Sequence, residues 1–159
     1  MLNRIKCCAG TAILAVATLA IPALSNASDI QTRRDQGSDV IKKLNRGNDQ
    51  SVLETMRKEF PFLADATEAY ALGDVWGRNV LDDRTRQLAA VAALAATGET
   101  AMMSVHAGYA LNIGVTAEEL KEIVYLITVT SGFPRAIAAS QTLSAVIAHH
   151  AGAENGKTP

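Results

Sequence analysis

Along most of this 159-residue chain the apolar positions recur at helical spacing, and no run alternates cleanly enough to make a strand-turn-strand unit. Arg33 to Leu44 reads as a helix stopped at Asn45-Arg46-Gly47. Asn48 or Asp49 then caps a helix with Val52, Leu53, Met56 and Phe60 on one side. Pro61 can open the next helix at its first turn, with Phe62, Leu63, Ala66, Ala69, Tyr70 and Leu72 forming its apolar face. Gly73 to Asp82, which holds two glycines and the only tryptophan, reads as a connection.

The second half is more strongly punctuated. One apolar helix is expected from about Asp83 to Thr97, ended by Gly98, and another from about Glu99 to Asn112, ended by Gly114. Thr116 and Glu119 form a capping box, in which hydroxyl and carboxylate each satisfy a free amide at a helix start. Ile123 to Thr130 is rich in β-branched residues and would favour a strand on propensity alone. The box upstream, the charged first turns and the spacing of Leu120, Ile123, Val124 and Ile127 predict a helix instead. Gly132 and Pro134 break it and start a last helix to about His150. The expected fold is therefore all-α, a compact multi-helix bundle. Leu88 to Ala96 is apolar on nearly every face, so it is central or packed on another copy, and a homo-oligomer is expected.

Composition changes the picture mainly at the N-terminus. Arg4 and Lys6 precede an apolar run, and Ser25 and Ala27 stand at the −3 and −1 positions of a cleavage site, the pattern of a secretory signal peptide over residues 1–27. Pro22 interrupts the run, which is short for a spanning helix, so no stable membrane anchor is expected after cleavage. Cleavage would remove both cysteines and two basic residues, shifting the net charge from −1 to −3. The mature chain, periplasmic or secreted on this reading, then has no thiol chemistry and relies on its core. One domain over residues 28–151 and a disordered tail over 152–159 are expected. The slightly acidic balance and the lack of a basic cluster argue against nucleic acid.

The candidate chemistry centres on His106, an imidazole in an otherwise apolar, small-residue run, open on the residues alone to a structural or a catalytic role. GDVWGR (73–78), LDDRTRQLAAVAALAATG (81–98), VHAGYALNIGVTAEEL (105–120) and SGFPRAI (131–137) resemble the carboxymuconolactone decarboxylase family, which includes the alkylhydroperoxidase D-like proteins. The resemblance covers nearly all of residues 33–147. In the peroxidase branch a CxxC pair and a glutamate precede the histidine; here those places hold Glu99, Met102 and Gln87. Neither Glu nor Met can form a thiolate, so thiol peroxidase activity is not expected.

The decarboxylase branch is the better match. It implies cofactor-free, metal-free acid/base chemistry on a small carboxylated or lactone substrate, with His106 as proton donor, Asp74 setting the imidazole's orientation and Arg86 holding a carboxylate. Asp74 stands where the family has a longer Glu. Arg78 and Arg84 are further carboxylate candidates, and Trp76 a pocket wall. Met102 and Met103 read as core. His149-His150 reads as a helix end, since neighbouring residues on a helix point about 100° apart and no third ligand is evident. The alternative is a non-enzymatic periplasmic protein that uses the same fold to bind a small ligand or to assemble.

Overall fold

Helix start and stop chemistry yields eight helical segments in the computed structural model, whose described residues are 23–155 and include no strand. They are α1 (Ala23–Leu44), α2 (Ser51–Glu59), α3 (Pro61–Ala66), a π-helix here named π1 (Thr67–Trp76), α4 (Asp83–Thr97), α5 (Thr100–Asn112), α6 (Ala117–Thr130) and α7 (Phe133–Asn155). The all-α architecture expected from the periodicity is the one observed. Most of the apolar run on which the signal-peptide reading rests lies in residues 1–22, outside the described residues; its end, Ala23 and Leu24, and the Ser25–Ala27 pattern fall at the start of α1. No helix among the described residues is long and apolar enough to cross a membrane.

α4 to α7 form the main core. Val91, Met103, Ala107, Leu120, Ala139 and Leu143 are buried where the four helices meet, and each large side chain removed from water in this way contributes about 1.5–3 kcal/mol. Alanines in the contact faces let the helices approach closely. Asp82 caps α4 by accepting from the Thr85 amide at 2.6 Å, and Gly98 ends it in the left-handed region, φ 82°, where a side chain would be strained. The Thr116–Glu119 capping box is fully formed. It outweighs the β-branched run downstream, all of which is helical.

α1 and π1 make a second layer, pressed together through glycines. A Cβ on Gly37 would lie 2.1 Å from the Glu68 carbonyl oxygen, and one on Gly73 would lie 2.2 Å from that of Arg33. Ile41, Leu44, Leu53 and Tyr109 join this layer and α2 to α5. Three ion pairs stitch α1 to its neighbours: Arg33 to Asp74, Arg34 to Asp65 and Lys43 to Asp83.

Four expectations need correction. The connection expected from Gly73 is helical as far as Trp76, because Gly73 serves close packing against α1 and does not break the chain. α2 is not capped by Asn48 or Asp49; its N-cap is Gln50, whose side chain makes no cap bond. Met102 is 49% exposed while its neighbour Met103 is fully buried, since consecutive residues face different sides of α5. The last helix, expected to end at about His150, continues to Asn155.

Candidate functional site

Two polar side chains meet between α4 and α5 on otherwise apolar faces. Gln87 Oε1 lies 2.9 Å from His106 Nδ1, and Gln87 is fully buried. With the carbonyl oxygen toward the ring, Nδ1 carries the proton and donates it, and Nε2 is left as the titrating nitrogen. Gln87 Nε2 has no hydrogen-bond partner among the described residues. A buried amide left in that state costs about 1–3 kcal/mol, and the fold carries that cost at this one glutamine.

Aromatic rings close two more sides of the imidazole. Trp76, at the end of π1, stacks on it with ring centroids 5.3 Å apart and planes 17° from parallel. Tyr109, one turn along α5, meets it edge-on at 6.1 Å. Tyr109 is itself fixed by Gln50, whose Nε2 donates to the phenol oxygen at 2.7 Å. Burial lowers the pKa of His106 below its ordinary value, so the resting ring is neutral near pH 7. Burial also raises the pKa of the Tyr109 phenol, opposed by the Gln50 bond.

Asp74, expected beside the imidazole, does not meet it: both of its oxygens take the Arg33 guanidinium, with Nε to Oδ1 at 2.8 Å. That pairing lowers the Asp74 pKa, chiefly through the hydrogen bond. The contact to His106 is made by Gln87 instead. Arg86 turns its guanidinium onto three backbone carbonyls, Nε to Leu81 at 3.2 Å, Nη1 to Val75 at 3.2 Å and Nη2 to Arg78 at 2.6 Å. It fixes the course of the segment that leads from Trp76 into α4. Arg84 pairs with Glu119 of the capping box. Arg78 is exposed and forms no ion pair among the described residues.

Gln87 was visible in the sequence only as a residue replacing a redox-branch glutamate. The signal that could have found its role is an uncharged amide on the apolar face of a helix, where a partner is obligatory. What the arrangement can do chemically is specific. The Gln87 carbonyl accepts from Nδ1–H whether Nε2 is bare or protonated, so a proton can come and go at Nε2 with the ring held still. The stacked indole face favours the protonated ring, partly offsetting its desolvation. No group of three or more His, Cys, Asp or Glu side chains able to hold a metal occurs among the described residues.

Residues 61–145 match the model of the carboxymuconolactone decarboxylase family. The chain is also 37% identical over 70 residues to the 4-carboxymuconolactone decarboxylase of Acinetobacter baylyi, an alignment covering 44% of this chain and 52% of that relative. The chain thus spans about half the length of the relative it matches.

Proposed function

Since the chain belongs to the carboxymuconolactone decarboxylase family, we propose that it is a cofactor-free decarboxylase of a small carboxylated lactone or related acid, with His106 moving the proton. The single observation that carries this reading is the His106 imidazole held by Gln87 at Nδ1 and stacked under Trp76. In the reaction the bond to the departing carboxylate breaks, carbon dioxide leaves, and the bonding pair passes into the conjugated lactone carbonyl. The neutral resting ring takes up a proton from solvent at Nε2 before this step; the imidazolium then gives that proton to the dienolate carbon and returns to the neutral form. Lowering of its pKa by burial makes the imidazolium the stronger acid for that transfer.

Of Arg78, Arg84 and Arg86, Arg78 is the one without an ion pair or side-chain hydrogen bond among the described residues, and it receives a substrate carboxylate two residues beyond Trp76. Arg86 positions that segment from below. The N-terminal basic, apolar and Ser25–Ala27 pattern supports export to a periplasmic or extracellular setting. Val129 at 83% and Phe133 at 69% exposure, beside the exposed Tyr125, Leu126 and Ile137, support association of copies through the α6–α7 corner.

Release of carbon dioxide from carboxymuconolactone by the purified protein tests the reading. His106→Ala is expected to slow it about 10²–10⁴-fold, and equal rates in the two proteins would remove His106 from the chemistry. A second reading, a small-ligand-binding protein without turnover, is favoured by one observation: the Arg84 and Arg86 guanidinium groups are already committed within the fold. Thermal stabilisation by the lactone without carbon dioxide release would favour it.

A further inference from the structure

A cleft between the α1–α2 loop, α5 and the end of α7 carries polar groups that the His106 chemistry does not use. It encloses about 410 Å³, within the range of small-molecule sites. Val105 and Val146 supply apolar surface, while Arg46, Tyr109, His149 and His150 supply polar groups. No aspartate or glutamate lines it, although the chain as a whole is slightly acidic. Two of the chain's three histidines do.

Three observations give this cleft a preference for a carboxylate. Arg46 is the one non-glycine residue among the described residues with a left-handed backbone, φ 55°, a conformation that Gly or Asn adopts at lower cost. The chain thus holds strain at the residue that brings a guanidinium to the cleft. That guanidinium already seats a carboxylate: its Nη2 donates to Glu154 Oε1 at 3.2 Å and to His150 Nε2 at 2.6 Å. Its Nη1 and Nε have no partner among the described residues. Tyr109 accepts from Gln50, which leaves the phenol's own proton free to donate.

We propose that this cleft is a second site, separate from that at His106, which binds a small monocarboxylate with an apolar body. The ligand carboxylate replaces that of Glu154 on Arg46, and the body rests against Val105 and Val146. The occupant lies one ring away from His106, because Tyr109 packs edge-on against the imidazole.

Benzoate is a suitable probe, with benzamide as its neutral isostere, followed through the histidine ring signals by NMR. Benzoate is expected to shift His149 and His150 saturably, at least tenfold more tightly than benzamide, and to do so equally in His106→Ala. Arg46→Gly, which adopts the backbone angle without strain and so folds, is expected to lose that affinity tenfold or more. Glu154→Gln is expected to strengthen binding severalfold, because an internal competitor is gone. Equal binding of benzoate and benzamide, loss of binding in His106→Ala, or weaker binding in Glu154→Gln would each overturn the proposal.

Discussion

Gln87 Oε1 faces His106 Nδ1 at 2.9 Å across the α4–α5 contact, so an amide, and not a carboxylate, is the group that orients the imidazole. A neutral acceptor fixes the tautomer without adding the negative charge that would stabilise an imidazolium. Burial is then unopposed by any charged partner, and the pKa falls.

Gln87→Glu is therefore expected to raise the His106 pKa, because a carboxylate in the same place would favour the protonated ring. NMR titration of the His106 ring in both proteins checks this. An unchanged or lower value in the variant would show that the 87 side chain does not control the ring.

Stability should track the same group. His106 titrates below its ordinary value of 6.5 in the folded protein, so the unfolded chain binds the proton more readily. Its contribution is fully present above about 6.5 and is lost as pH falls from there toward the lowered folded value. Urea unfolding across this window is expected to show falling stability in the wild type and a flatter profile in His106→Asn. Trp76, the only tryptophan, stacks on the ring, so its fluorescence should titrate at the same lowered pKa.

Arg86→Lys would replace a planar three-carbonyl clamp with a point charge. Loss of the bonds to Val75, Arg78 and Leu81 is expected to cost about 1–3 kcal/mol and to increase acrylamide quenching of Trp76. Quenching that matches the wild type would mean that the segment keeps its course without the clamp.

Gly73→Ala places a methyl group 2.2 Å from the Arg33 carbonyl oxygen, a backbone atom that cannot move alone. Separation of α1 from π1 is expected, with a loss of about 1–3 kcal/mol or more in denaturant unfolding. The Arg33–Asp74 pair would loosen with it.

Local determinants were legible in the sequence and distant ones were not. The α6 start could be read because Thr116 acts on an amide three residues away, and the α4 end because Gly98 marks a left-handed stop. His106 stood out as a lone polar group in an apolar run. The partner of Asp74 was hidden, since Arg33 lies 41 positions earlier and reaches it only once α1 packs on π1. Arg86 was read as a ligand for carboxylates because its use of backbone carbonyls leaves no trace in residue type. The π-helix has no sequence periodicity to announce it over so short a span, and its glycine looked like a breaker.

That wider helix also sets how the site can be altered. In π1 the amide of Gly77 reaches back five residues to Leu72 at 2.9 Å, so the segment holds more residues per turn than an α-helix would. The same ten residues wound as an α-helix, at about 100° per residue, would bring Trp76 to a different side of the segment and leave His106 without its stacked ring. The cover on the imidazole thus depends on the winding of the whole segment and not on the indole alone.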